Sequence, residues 1–289
     1  MSYQLVKVKL IISKLNYCDY MGRDYINKIF CEDCLNTMKQ MVEDNVKVDM
    51  ILTSPPYNTV RDSEYYNNQN SLDKHMGRYD VYMESKTDEE YIDWTINLFN
   101  LFDKVLKPNS VIIYNLSYGS ENTELMWRVI YNILERTDFT IADNIIWKKK
   151  SALPNAVSHN KLTRICEYVY VFCRNNEFDT FHCNKRLRSV NDKGQKYYEA
   201  IFNFIEAPNN DGANKLNKAT FSTELVRRLL EIYSLADKNI IVYDPFMGTG
   251  TTANACKQYG VSYVGSEISE NQVKYANERL NYKTLNDYF

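Results

Sequence analysis

The stretch NIIVYDPFMGTGTTANACKQYGVSYVGSE, residues 239–267, decides the fold. It opens on a continuous apolar run at 240–243, as a strand buried on both faces requires. Asp244-Pro-Phe-Met-Gly-Thr-Gly-Thr-Thr252 then forms a turn, and residues 251–259 read as a helix. A second strand, predicted at 262–265, leads to Glu267. Gly248 and Gly250 permit a tight turn and close approach of a ligand to the backbone. Glu267 stands 19 residues after Gly248, where a doubly wound fold places an acid on ribose hydroxyls. The spacing is not G-x-G-x-x-G, which disfavours a nicotinamide cofactor. No Gly-Lys-Ser/Thr occurs here, which excludes a phosphate-cradling P-loop.

Outward from this unit the same alternation recurs. Apolar runs predict strands at 27–30, 48–53, 110–115, 139–147 and 167–173. Helical periodicity covers 88–106, 123–135, 223–233 and 270–280. In the first of these, Tyr91, Ile92, Ile96, Leu98, Phe99, Phe102 and Leu106 share a stripe, and Pro108 supplies a stop. Strands alternating with helices define an α/β class with a doubly wound, mostly parallel sheet covered on both faces. From residue 175 to about 218 the rhythm breaks. That segment is polar, rich in Asn and Lys, and holds Gly194 and Gly212. It is too long for an ordinary connection and reads as a functional insertion or small subdomain.

A second motif, Thr53-Ser-Pro-Pro-Tyr-Asn58, stands at the end of the buried run 48–53. Pro55 and Pro56 remove two N–H donors and stiffen the backbone. Ser54, preceding a proline, is held extended, so its hydroxyl and the Pro55 carbonyl can converge outside the strand end. Tyr57 adds an aromatic face. Two acceptors beside a flat ring suit a planar base bearing an amino group. The bland alternative is a Pro-Pro turn after a strand.

These motifs resemble those of a known family. Thr53-Ser-Pro-Pro-Tyr-Asn58 resembles the catalytic D/N/S-P-P-Y/F/W motif of DNA amino-methyltransferases, and residues 244–252 resemble their S-adenosylmethionine motif. Catalytic motif first and cofactor motif last is the permuted, β-group order of the N4-cytosine/N6-adenine enzymes. Asn27-Lys-Ile-Phe-Cys-Glu-Asp-Cys34 is similar to a strand ending in a G-D-C-like turn, with Glu32 in place of Gly, so only Asp33 is carried over as a cofactor contact. Thr220-Phe-Ser-Thr-Glu-Leu-Val-Arg227 resembles the segment before the cofactor strand, with Ala219 and Ser222 where prolines are common. Val264-Gly-Ser-Glu267 resembles the ribose-binding turn.

The resemblance implies a seven-stranded Rossmann-like methyltransferase sheet. It also implies three regions: a catalytic half at 1–174, a target-recognition insertion at 175–214 and an S-adenosylmethionine-binding half at 215–289. Ser54, Pro55, Pro56 and Tyr57 would form the catalytic site. Asp33, Asp244, Pro245, Phe246, Gly248, Gly250, Thr251 and Glu267 would surround the cofactor, Asp244 near its methionine amine. Phe246 serves either that pocket or the core, and Thr251 or Thr252 either bonds the cofactor carboxylate or caps the helix. The reaction would need a base flipped from the duplex. No general base is assigned, since the surplus proton can leave to water, and no metal is required. Ser at the first motif position inclines the target to cytosine N4 over adenine N6. Rival readings are a non-catalytic DNA-binding relative, which would need a damaged motif, and an RNA or small-molecule methyltransferase.

Charge agrees with a polyanion partner. The chain has formal net charge −2, but residues 146–235 carry fifteen Lys/Arg against nine Asp/Glu. Lys185, Arg186, Arg188, Lys193 and Lys196 cluster in the insertion with a single acid, Asp192, and are candidate phosphate contacts on DNA. No run of 18 apolar residues exists, so no membrane span is expected. Nor does the N-terminus read as a signal peptide, which predicts a cytoplasmic protein of a bacterial or phage-infected cell. The seven cysteines are scattered; Cys31-x-x-Cys34 lacks a second ligand pair, so reduced, buried thiols are expected rather than zinc. Dimers occur in the family, and with no endonuclease signature a restriction role would need a separate cognate endonuclease.

Overall fold

Apolar stripes and caps account for most elements of the computed structural model. The structure describes residues 23–58, 86–119, 122–152, 154–156, 159–211, 220–234 and 239–281. The N-terminal segment 1–22, Gly212 and Ala219 lie outside these residues.

β1 (Lys28–Cys31) leads into α1 (Cys34–Glu43), whose buried face is Cys34, Thr37, Met38 and Met41. Asp33 caps α1, its carboxylate accepting from the Leu35 amide at 2.7 Å. β2 (Val48–Thr53) is buried at five of six positions. α2 (Asp88–Val105) starts at a reciprocal Thr87–Glu90 capping box and buries Tyr91, Ile92, Ile96, Leu98, Phe99, Phe102 and Val105. β3 (Leu106–Leu116) begins directly at the helix end, earlier than the predicted 110. Pro108 therefore lies inside a strand. A register irregularity accommodates it: Val48 faces Leu106 and Met50 faces Val111, with Asn109 at φ 59° in the looped-out stretch.

α3 (Leu125–Arg136), β4 (Phe139–Lys149) and β5 (Cys166–Arg174) follow. The segment after β5 holds an exposed hairpin, β6 (Leu187–Val190) with β7 (Lys196–Tyr198), and then β8 (Phe204–Ala207). α4 (Thr223–Tyr233), β9 (Ile241–Asp244), α5 (Thr251–Tyr259), β10 (Ser262–Glu267) and α6 (Glu270–Asn281) are the remaining elements of the described residues.

Among the described residues, eight strands form one sheet in the order β1-β10-β9-β2-β3-β5-β4-β8. The first five run parallel, β5 is antiparallel to β3 and β4, and β8 runs parallel to β4. The doubly wound, mostly parallel expectation holds, with one strand more than the expected seven. The extra strand, β8, comes from the segment read as an insertion. It is tied in by the buried Trp147 indole, which donates to the Ala207 carbonyl at 3.3 Å.

Alternate residues of the sheet feed two cores. Ile51 and Ile112 pack with α1, α2 and α3, around Phe99, whose ring lies 5.2–5.7 Å from those of Phe102, Tyr114, Phe139 and Phe172. Met50, Leu52, Val111 and Ile113 face α4 and α5, against Leu225, Leu229, Ala253 and Cys256. The thiols are more mixed than expected: Cys34, Cys173 and Cys256 are buried, but Cys31 and Cys183 are exposed at strand and loop edges.

This topology aligns the chemistry. The carboxyl ends of β1, β10, β9, β2 and β3 share one edge of the sheet. Because β5 is antiparallel, its first residues reach that same edge, and so does the end of β4. Such an edge, near a change of strand order, is where open α/β sheets bind ligands.

Candidate active site

Ser54-Pro-Pro-Tyr57 leaves the end of β2 with both prolines buried and Ser54 and Tyr57 half-buried. The Tyr91 hydroxyl donates to the Pro56 carbonyl at 2.7 Å, fixing the segment to α2. Asn58 adopts φ 51° and donates to the Lys86 carbonyl at 2.8 Å. Ser54 Oγ and the Tyr57 hydroxyl are 3.0 Å apart.

Three groups that sequence reading did not single out complete this cluster. Asn115, near the end of β3, donates from Nδ2 to the Tyr57 hydroxyl at 2.6 Å and to Glu167 Oε2 at 2.9 Å. Its Oδ1 is buried without a partner among the described residues. Glu167, at the start of β5, accepts from the Tyr57 hydroxyl at 3.1 Å, and Lys149 pairs with its other oxygen. Asn115 and Glu167 are terminal polar residues of apolar strand runs and Lys149 lies just past one, positions that nothing in the sequence marks.

The second motif builds the adjoining pocket. Asp244 ends β9 and is buried; its carboxylate accepts from Thr53 Oγ1 at 2.6 Å, Thr252 Oγ1 at 2.5 Å and the Phe246 amide at 3.0 Å. Desolvation pushes its pKa up to about 6, against the opposing pull of those hydrogen bonds. Gly250 occupies the left-handed region at φ 81° and is the residue before α5; a Cβ there would come within 2.8 Å of the Ala276 Cβ. Neither Thr251 nor Thr252 caps the helix. The Thr252 hydroxyl is engaged by Asp244, whereas Thr251 lies beside Arg279 at 3.3 Å.

Glu267 braces the glycine turn from below. Its carboxylate accepts from the Gly248 amide and the Ser269 amide, both at 2.9 Å. Phe246 is partly buried, its ring 5.5 Å from that of Trp94. Asp33 is exposed, one strand beyond, since Cys31 pairs with Glu267 across β1 and β10. Asp33, Asp244 and Glu267 thus bring three carboxyl groups to one edge beside two aromatic rings. That donor set fits a cationic cofactor carrying sugar hydroxyls.

Lys185, Arg186, Arg188, Lys193 and Lys196 lie on or beside the β6–β7 hairpin, all exposed. No side chain of the five forms an ion pair among the described residues. Asn191 Oδ1 shapes the hairpin turn by accepting from the Lys193 and Gln195 amides at 3.0 and 2.9 Å. Tyr197, Tyr198 and Phe202 are exposed alongside, at 46, 50 and 78%. A mixture of cations and bare aromatic rings suits nucleic acid better than a merely solvated face.

A family model described as "DNA methylase", covering N6 and N4 methyltransferases, matches residues 48–278. The chain belongs to this family of S-adenosylmethionine-dependent DNA methyltransferases, which act on amino groups of bases. Among its relatives are the Type II methyltransferase M.BglII of Bacillus subtilis, 23% identical over 92% of this chain and 75% of that protein. The Type II methyltransferase M.HinfI of Haemophilus influenzae is 26% identical over 89% of this chain and 69% of its own. The orphan methyltransferase M.BamHII of Bacillus amyloliquefaciens is 26% identical over 84 and 92%. The fold matches that of the cytosine-N4-specific PvuII DNA methyltransferase, with TM-score 0.64 and 15% identity over 90% of this chain and 88% of that one. It also matches the M1.HpyAVI–SAM complex, with TM-score 0.54 and 20% identity over 87 and 98%. No helix among the described residues is long and apolar enough to cross a membrane.

Proposed function

We propose that the chain methylates cytosine N4 in DNA, with Ser54, the Pro55 carbonyl and Tyr57 as the groups that hold the base. The observation that carries this reading is the convergence of Ser54 and Tyr57, 3.0 Å apart, beside the Asp244 turn. An exocyclic amino nitrogen is a poor nucleophile because its lone pair is delocalised into the ring. Ser54 and the Pro55 carbonyl accept its two N–H groups, favouring a tetrahedral nitrogen as positive charge develops. Tyr57 stacks on the flipped base and orients the nitrogen. The surplus proton leaves to water.

S-adenosylmethionine supplies the electrophilic methyl group. Asp33, Asp244, Pro245, Phe246, Gly248, Gly250, Thr251 and Glu267 would hold it, Glu267 by accepting from ribose hydroxyls and Asp244 by facing the methionine amine. In this reading residues 1–174 carry catalysis, 215–289 the cofactor and 175–214 target recognition. Lys185, Arg186, Arg188, Lys193 and Lys196 contact DNA phosphates. Support for cytosine over adenine is Ser54 alone. A second copy of the chain, a separate endonuclease and a cytoplasmic setting belong to the same reading.

The test is transfer of labelled methyl groups from S-adenosylmethionine to genomic DNA of a methylase-free bacterial strain, followed by mass spectrometry of nucleosides. N4-methylcytosine is expected. N6-methyladenine alone would move the target to adenine and keep the reaction class, whereas label in RNA but not DNA would replace the substrate.

A further inference from the structure

The geometry points to Glu167 as a positioning residue that fixes Ser54 as a hydrogen-bond acceptor, acting through the Tyr57 hydroxyl. This rests on the reading of Ser54 as the acceptor for the base amino group.

A carboxylate only accepts hydrogen bonds, and Asn115 Nδ2 only donates. Glu167 is well sheltered, its side chain 15% exposed, and Lys149 pairs with Oε1. Its Oε2 faces the Tyr57 hydroxyl at 3.1 Å and Asn115 Nδ2 at 2.9 Å. The Tyr57 proton is therefore directed to Glu167. Asn115 Nδ2 also points at the Tyr57 oxygen, 2.6 Å away, and reinforces its role as acceptor on the remaining side.

The contact between Ser54 Oγ and the Tyr57 hydroxyl, 3.0 Å long, is ambiguous when taken alone. With the Tyr57 proton committed to Glu167, only Ser54 can donate in it. The Ser54 proton is then turned inward; one lone pair faces Asn115 Nδ2 in a long contact of 3.4 Å, and the other is what the pocket meets. A hydroxyl, which can both donate and accept, becomes an acceptor toward the amino group, as a carboxylate would be by nature. Donation from Ser54 to the ring nitrogen beside that amino group is correspondingly withdrawn. Lys149 and Asn115 serve the same end by holding the carboxylate in place.

Replacing Glu167 by Gln puts an amide, which can donate to the Tyr57 oxygen, in place of the carboxylate. Tyr57 can then donate to Ser54, and Ser54 turns its proton toward the incoming N–H. Single-turnover methylation of the same genomic DNA, with cofactor affinity by calorimetry and DNA affinity by fluorescence anisotropy, reads this out. Glu167→Gln should slow methyl transfer by about 10- to 100-fold while both affinities stay within about twofold, as loss of an interaction made in the transition state requires. Tyr57→Phe keeps the ring and the Glu167–Lys149 pair but breaks the relay, so it should show a loss of similar size. The double variant should be no slower than Tyr57→Phe alone, a coupling that a merely structural role would not give. Wild-type rates in Glu167→Gln, or losses that multiply in the double variant, would overturn the relay. If Glu167→Gln fails to fold, Tyr57→Phe decides: an unimpaired rate overturns the proposal and a loss supports it. A full rate in Ser54→Ala, or no transfer by the wild-type chain, would instead overturn the underlying reading and the relay with it.

Discussion

Thr53 Oγ1 donates to Asp244 Oδ1 at 2.6 Å, joining two residues 191 positions apart in the chain. The bond binds the strand that ends in Ser54-Pro-Pro-Tyr57 to the strand that ends in the glycine turn. It also makes a buried carboxyl group the link between the proposed base site and the proposed cofactor site.

That burial has a pH signature. The Asp244 pKa is raised from 3.8 to about 6 by desolvation. Between these values the folded protein keeps a proton that the unfolded chain has released, so this group's contribution to stability falls as pH rises and is level above about 6. The loss is at most about 3 kcal/mol. Asp244→Asn should remove this slope, gaining stability relative to wild type between pH 4 and pH 7 in denaturant titrations. The cofactor's cationic amine favours the ionised carboxylate, so wild-type affinity for S-adenosylmethionine should weaken as pH falls through about 6 and that of the Asn variant should not.

Glu267 anchors the Gly248 amide at 2.9 Å as well as facing the proposed ribose site. Glu267→Ala should weaken S-adenosylmethionine binding by about 2–3 kcal/mol, the scale of hydrogen bonds to a charged acceptor. Calorimetry on the folded variant measures this, and unchanged affinity would remove Glu267 from the cofactor site.

Tyr57 is held by Ser54, Asn115 and Glu167, whereas Asp244 is held by Thr53, Thr252 and the Phe246 amide. Tyr57→Ala should therefore cut single-turnover methylation sharply, by about 100-fold or more if the ring orients the base, while cofactor affinity barely changes. A wild-type single-turnover rate would end the stacking assignment.

The hairpin cations should show in the salt dependence of DNA binding. Replacing Lys185, Arg186 and Arg188 together by Ala should lower the slope of log affinity against log salt by about one per lost phosphate contact. Anisotropy titrations at several salt concentrations measure it; an unaltered slope would put the DNA surface elsewhere.

Much of the architecture was legible because periodicity is a local property. The helix at 223–233 and the strand at 48–53 end where the structure ends them. β3 begins before Pro108, a residue that reads as a breaker in sequence, because a register irregularity against β2 absorbs it. β8 was invisible because a four-residue strand with two exposed positions carries no distinctive pattern until Ile205 and Ala207 meet β4.

The same division governs the site. Ser54-Pro-Pro-Tyr57 and the Asp244–Gly250 turn each announced themselves, since prolines and glycines at a strand end restrict the backbone within a few residues. Their meeting could not be read that way. It depends on β2 lying beside β9, a pairing made across most of the chain. Nor could Asn115, Lys149 and Glu167, which come to Tyr57 only because β5 reverses direction between β3 and β4. Sequence alone determined the class of fold and the two motifs, because those rest on local backbone chemistry. Tertiary structure decided which carboxylate each motif faces and which hydroxyl donates to which, because hydrogen-bond direction is set by partners that only long-range strand pairing brings within 3 Å or so.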